Sequence, residues 1–449
     1  MRTSILVSLA AAGLMTAAAQ AVPLEVNGKG WFESGRVMRS SDTLQYDLNG
    51  SWLQSSGAQF TTVADLGEGW EGAFGFGAYQ VNHSLASAQG LKNQPKFLAV
   101  TMYKSYITQA SLSYTRDDLA LSGDRFGLTF GNFSHHYNRD ARNFGSYLLR
   151  GPVYPGILQS GYGDFGTDTS RANVLGARAR YAHHGFTHDL LFMNEKDLPP
   201  TFDWSLGYIG SYRFLGAFEV GAGVNFYRLL PSNPDLMQPG KLPGGQYEPS
   251  LYDTTGTGAG GDTLFYTHQG VKLMGMFSVD LKKWLGTGRM SEQDLRLYGE
   301  AAVLGVKDYG TYYDDIARRM PVMMGFNVPT FGVLDLLSVE VEWYGTPYKN
   351  DLANIGNPGS IVAEWTTLDR PIPSPAPIAY ADSSRDDWKW SVTAEKTLRR
   401  HIQLTAQVAN DHFRPRPIAT GLITSGGGTS AAFTTSRDWY FTFRVGYFF

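Results

Sequence analysis

The last eleven residues read Trp439-Tyr440-Phe441-Thr442-Phe443-Arg444-Val445-Gly446-Tyr447-Phe448-Phe449. Trp439, Phe441, Phe443, Val445, Tyr447 and Phe449 are apolar or aromatic and fall on one face of an extended chain. Asp438, Tyr440, Thr442, Arg444 and Gly446 are mostly polar or small and fall on the other, with only Phe448 breaking the pattern. A period of two defines a strand with one oily and one wet face, because successive side chains point to opposite sides of the pleat.

The opposite end reads as an export signal. Met1-Arg2 is a short basic start, Ile5 to Met15 an apolar core, and Ala19-Gln20-Ala21 a small-residue cleavage site. Residues 1–21 are therefore expected to be a signal peptide and 22–449 a single mature domain. The sequence contains no cysteine. That excludes disulfides, thiolate metal sites, cysteine nucleophiles and a lipoprotein anchor.

Composition sets the class. Glycine (52) and aromatic residues (14 %) are abundant, and mean hydropathy is −0.23. Past residue 21 no apolar run reaches the roughly 18 residues that a membrane helix needs. A membrane β-barrel is compatible with such a composition, since half of each strand faces lipid and half a polar lumen. The net charge of −3, without a lysine or arginine run, argues against nucleic acid as a partner.

Alternation and turn signals predict about sixteen strands, at 24–34, 57–66, 70–82, 101–116, 118–131, 171–183, 186–195, 203–214, 217–228, 265–283, 293–306, 318–328, 334–345, 386–398, 401–413 and 436–449. Tight connections at Gly67-Glu68-Gly69, Asp117-Asp118, His184-Gly185, Gly216 and Arg399-Arg400 alternate with long Gly-, Pro-, Asn- and Asp-rich ones. The fold expected is all-β: a transmembrane antiparallel up-and-down barrel with short periplasmic turns and long extracellular loops. Strands 101–116 and 118–131 change phase midway, as a bulge would make them do. Trp31, Trp70, Trp204, Trp284, Trp343, Trp388 and Trp439 stand near strand ends, where interfacial girdles form.

Charged faces locate the lumen, because Arg or Lys at lipid mid-depth costs about 2–4 kcal/mol. Arg178, Arg180, Lys272, Glu300, Glu340 and Glu342 are thus candidate pore-lining residues, alone or as cross-strand pairs that stiffen the wall. With both signs present, neither cation nor anion selectivity follows from them.

Signal sequence, even strand number, long loops and aromatic last strand together resemble the bacterial 16-stranded porins; no subfamily is identified. The resemblance implies an outer-membrane channel for passive diffusion of ions or small hydrophilic solutes. It implies outer-membrane lipid and lipopolysaccharide around the barrel, a possible homotrimer, and Tyr447 and Phe449 as a signal to the barrel-assembly machinery. It also implies that the loop after the fifth strand, residues 132–170, sets the pore size. That loop carries Arg139, Asp140, Arg142, Arg150, Asp164 and Asp168 beside a Gly-, Pro- and aromatic-rich stretch from Asn143 to Tyr162, and lacks the P-E-F-G-G motif of the general enterobacterial porins. A constriction and an outer lid are both compatible with it.

Metal-binding, catalytic and surface-binding chemistry are each addressed by particular residues. His135-His136 and His183-His184 with His188 lack metal-ligand spacing, and Asp314-Asp315 and Asp386-Asp387 lack a multi-ligand calcium loop. No metal or other cofactor is expected. No nucleophile motif such as G-x-S-x-G occurs, so no catalytic residue is assigned and the chain is not read as an enzyme. The alternative to a channel is a non-conducting surface barrel that binds glycan or joins an outer-membrane complex. The loops Leu229 to Leu264 and Gly345 to Arg385, the latter stiffened by Pro371, Pro373, Pro375 and Pro377, would suit it.

Overall fold

The computed structural model describes residues 22–39, 46–47, 49–50, 52–87, 98–150, 172–196, 202–230, 232, 252–253, 264–265, 270–285, 290–306, 316–344, 388–411 and 437–449. The predicted signal peptide, Asp164, Asp168, Asp314, Asp315, Asp386, Asp387 and most of the two long proline- and glycine-rich loops lie outside the described residues.

Sixteen antiparallel strands among the described residues form one closed ring. They are β1 Leu24–Arg39, β2 Trp52–Gly67, β3 Trp70–Ser87, β4 Leu98–Asp117, β5 Arg125–His135, β6 Ala172–His183, β7 Phe186–Asn194 and β8 Trp204–Phe214. The second half comprises β9 Phe218–Leu230, β10 Gly270–Asp280, β11 Arg296–Val303, β12 Val322–Asn327, β13 Leu336–Trp343, β14 Trp388–Leu398, β15 Ile402–Asn410 and β16 Trp439–Phe448. Each pairs with its sequence neighbours. Closure is made by β1 and β16, in register from Lys29 opposite Phe448 to Arg39 opposite Trp439. A closed ring leaves no unpaired strand edge, the condition for a sheet in hydrocarbon.

The two faces follow the sequence period. Phe441, Phe443, Val445 and Tyr447 of β16 look outward, while Tyr440, Thr442 and Arg444 are buried inside. Leu273, Val341 and Phe226 are exposed outside, opposite Lys272, Glu340 and Asn225 inside. At the rim carrying the short turns, aromatic rings meet on the outer face: Phe186 stacks on Tyr212 at 4.1 Å and Phe214 on Phe218 at 5.1 Å, and Phe218 lies tilted against Trp284 at 4.9 Å. Trp31 departs from the girdle expectation. It is buried on the inner face, with the Arg444 guanidinium over its ring at 5.8 Å.

Short turns here adopt left-handed backbone at both central residues, as two examples show. These are Glu68-Gly69 (φ 52° and 85°) and His184-Gly185 (φ 43° and 86°). Such hairpin turns match the right-handed twist of the strands they join.

Several boundaries differ from the sequence reading, for physical reasons. The phase change in β4 is a bulge at Thr108: Gln109 faces Gly75 and Ile107 faces Phe76, so one extra residue swaps the faces. The connection expected at Asp117-Asp118 is instead a longer turn over 118–124, which moves the next strand to Arg125–His135. Its organiser is Asp124, whose carboxylate accepts the backbone N–H of Leu119, Ala120 and Leu121 at 2.7–3.0 Å and the Tyr181 hydroxyl at 3.0 Å. β10 stops at Asp280 and gives way to one helical turn, Lys282–Leu285. Ile316–Arg319 forms a 3-10 turn, so Arg318 and Arg319 precede β12 rather than lying in it. β1 to β4 outrun their predicted lengths, because neighbouring strands continue to pair beyond the regularly alternating stretch.

Candidate functional site

The chain leaving β5 turns back into the barrel, and residues 136–150 pack on the inner face of β7 to β13. Three wall carboxylates hold it there. Glu300 accepts the Tyr137 hydroxyl at 2.7 Å, the Asn138 amide at 2.8 Å, and the backbone N–H of Ser146 and Tyr147 at 2.9 and 2.8 Å. Glu340 accepts the N–H groups of Arg142, Asn143 and Phe144 at 2.7, 2.8 and 3.2 Å and the Tyr298 hydroxyl at 2.9 Å. Glu342 accepts the Tyr147 hydroxyl at 2.7 Å. Successive N–H groups converging on one carboxylate form a nest that offsets much of the cost of burying it.

Backbone shape makes this possible. Gly145 and Ser146 both adopt left-handed conformations (φ 76° and 56°), and a short 3-10 turn, Tyr147–Leu149, follows. A Cβ at Gly145 would stand 2.9 Å from a Glu300 carboxylate oxygen. Arg150 donates to the carbonyls of Gly145 and Asn143. The Lys272 ammonium donates to the Arg150 carbonyl, and the Asn225 amide to the Leu148 carbonyl at 2.8 Å. At the other end of the segment, Asp140 accepts the Arg296 guanidinium at 2.8 Å and the Ser278 hydroxyl.

An apolar core forms between segment and wall. Phe144, Tyr147, Leu148 and Leu149 are buried against Leu191, Met193, Ile209, Met274, Tyr298 and Met323. Each such side chain contributes about 1.5–3 kcal/mol relative to exposure. The segment is therefore held by both hydrogen bonds and packing.

Beside the segment, open space remains at the end of the barrel nearer the short turns. One cavity of about 310 Å³ is lined by Arg125, Arg139, Arg180, Asp189, Arg213 and Glu219 among others. A second of about 260 Å³ shares Tyr137, Arg139, Arg213, Glu219 and Met276 with it and continues toward Asp140 and Arg296.

The residues singled out in the sequence divide accordingly. Lys272, Glu300, Glu340 and Glu342 are inward-facing and buried, with the segment packed over them. Arg178 and Arg180 also face inward, and both reach Asp189, at 2.7 and 4.0 Å. Arg139 is exposed to the cavity and Arg142 half-buried, whereas Asp140 is paired and Arg150 has no solvent exposure. Tyr447 and Phe449 are half exposed on the outer face, and the Phe449 ring meets Phe60 at 5.7 Å. The histidines do not gather: His135 is buried inside, His183 and His184 touch through ring nitrogens at 2.7 Å, and His188 bonds Tyr208 outside.

Sequence reading missed Tyr137, Asn138, Tyr147, Asn225 and Tyr298, which complete the seat, and Asp189 and Arg296, which pair the arginine and the aspartate. Inward alternation flags Asn225, Tyr298, Asp189 and Arg296. Nothing local marks which loop residues would meet them.

No family model matches the chain, and no curated protein matches it. Solved structures similar to it include a complex of Salmonella typhi OmpF with daunomycin, at 10 % identity, covering 95 % of this chain and 98 % of that one, with TM-score 0.44. A triple mutant of Rhodopseudomonas blastica porin is similar at 10 % identity, covering 95 % of this chain and all (100 %) of that one, with TM-score 0.39.

Proposed function

We propose that this protein is an outer-membrane channel for passive diffusion of ions or small hydrophilic solutes, and that residues 136–150 form its constriction. The observation that carries the reading is the segment seated on Glu300, Glu340 and Glu342 inside a closed ring of sixteen strands. A ring of that size is too wide for its own side chains to fill, and barrels of this kind hold water. An inserted segment then sets the width, and the polar groups left uncovered set the preference for solute. The apolar outer face and its aromatic rim support insertion in a bilayer, with lipid and lipopolysaccharide around it. Export by residues 1–21, delivery by the barrel-assembly machinery and assembly as a homotrimer belong to the same reading. No catalytic step does.

The test is conductance of the purified chain in planar bilayers. Replacing Glu300 and Glu340 together by Ala removes the acceptors of eight hydrogen bonds. Each buried donor left unpaired costs about 1–3 kcal/mol, enough to release the segment. The double variant is expected to conduct more per channel than the wild type. Equal conductance in an assembled barrel would remove the constriction, and no conductance by either protein would leave the non-conducting surface barrel.

A further inference from the structure

The sequence offers lumen charges of both signs, and the fold sorts them. Glu300, Glu340 and Glu342 are covered by the inserted segment, the first two accepting several of its N–H groups and the third its Tyr147 hydroxyl. The guanidiniums on the opposite stretch of wall are not. Arg178 and Arg180 stand two residues apart on the inner face of β6, and Arg125 begins the neighbouring β5. Arg139 reaches toward them from the inserted segment, and Arg178, Arg139 and Arg125 all act repulsively on Arg180.

Among the described residues, one buried carboxylate answers these four cations. Asp189 lies 2.7 Å from Arg178 and 4.0 Å from Arg180. Arg125 has only a surface contact with Asp117 at 3.7 Å, both side chains about two-thirds exposed, and such pairs contribute little. Arg139 has no carboxylate partner among the described residues. Arg213 at the far side of the cavity is neutralised by Glu219 at 2.5 Å. Like charges held this close repel one another, and a cleft with low-dielectric walls concentrates their field.

We propose that this cluster is a binding site for a small oxyanion, phosphate or carboxylate, which bridges Arg139 and Arg180 and makes the passage anion-selective. The guanidinium fork matches two oxygens of either anion, and the cavity of about 310 Å³ beside Arg125, Arg139 and Arg180 has room for one with its water. The proposal rests on the channel reading for its selectivity and on the geometry alone for its binding.

The experiment therefore has two readouts on the full mature chain. In planar bilayers under a potassium chloride gradient, the reversal potential should report chloride as several-fold more permeant than potassium. Millimolar inorganic phosphate should reduce the chloride current in a saturable way, and succinate run in parallel separates a phosphate site from a carboxylate one. Arg139→Gln should weaken the block roughly tenfold and bring the permeability ratio toward one. Asp189→Asn, which removes the competing carboxylate, should strengthen the block. Because Asp189 is buried between two arginines, Arg139→Gln alone decides if the aspartate variant fails to assemble. Cation preference, or equal block in wild type and Arg139→Gln, overturns the proposal. A barrel that passes no current defeats the channel reading instead. Phosphate binding to the detergent-solubilised protein, by calorimetry, then decides the site: binding weakened in Arg139→Gln supports it, and no binding overturns it.

Discussion

Asp124 converts a stretch that looks like strand into a turn. Burial pushes its carboxyl up, but the N–H groups of Leu121 and Ala120, the Tyr181 hydroxyl and the N–H of Leu119 outweigh that and hold it below its ordinary value of 3.8. A carboxylate whose folded value is depressed contributes stability that is complete above the unfolded value and is lost as pH falls through the folded one. Hydrogen-exchange protection factors for Leu119, Ala120 and Leu121 should therefore be flat from pH 7 down to about 5 and collapse only in strong acid, below the ordinary carboxyl range. Asp124→Ala should remove that protection at every pH. Protection that changes between pH 7 and 5 would assign the turn to another group. Nothing in Leu119-Ala120-Leu121 announces this behaviour, because the acceptor is supplied three to five residues downstream.

At the level of elements, the inserted segment and strand β9 fit through a glycine. A Cβ at Gly223 would stand 2.4 Å from the Leu148 side chain and 3.0 Å from the Tyr208 carbonyl oxygen. Gly275, on the outer face of the adjacent β10, has nothing within 4 Å. Gly223→Val should thus push the segment off the wall at a cost of about 1–3 kcal/mol, whereas Gly275→Val should be tolerated. Limited proteolysis within residues 136–150 reads the difference: faster cleavage in the first variant, none in the second. Equal cleavage in both would mean that the segment is held by its carboxylate contacts alone. Strand existence was legible nearly everywhere and facing in the regularly alternating strands, since Leu273 against Lys272 or Val341 against Glu340 obey a period of two whatever surrounds them. Boundaries were less so: the bulge at Thr108 and the extended ends of β1 to β4 depend on what the neighbouring strand offers to pair with.

For the whole molecule, the decisive join is first strand to last. The Phe449 N–H donates to the Gly28 carbonyl at 3.0 Å and the Gly28 N–H to the Phe449 carbonyl at 2.9 Å, so the final residue is part of the seam. Deleting Phe449 removes both bonds and the ring contact with Phe60. The yield of folded, heat-modifiable barrel in outer-membrane fractions should drop several-fold, and Phe449→Ala, which keeps the backbone pair, should lose less. Normal yield from the deletion would show that neither the seam nor recognition by the assembly machinery needs this residue.

The all-β barrel, its number of strands and the inward face of the regularly alternating strands follow from the sequence alone, because alternation and turn chemistry are local and repeat along the chain. The sequence also places charges of both signs in the interior. Which of those charges meet water depends on contacts made across the closed ring. The aromatic strand Trp439–Phe449 contributes to that as the seam that closes the ring. Inside the ring, Glu300, Glu340 and Glu342 meet donors roughly 150 to 200 residues away in sequence, while Arg139 and Arg180 stay beside an open cavity. Pairings of such separation carry no local signal, since they depend on the closed wall bringing distant strands to one surface.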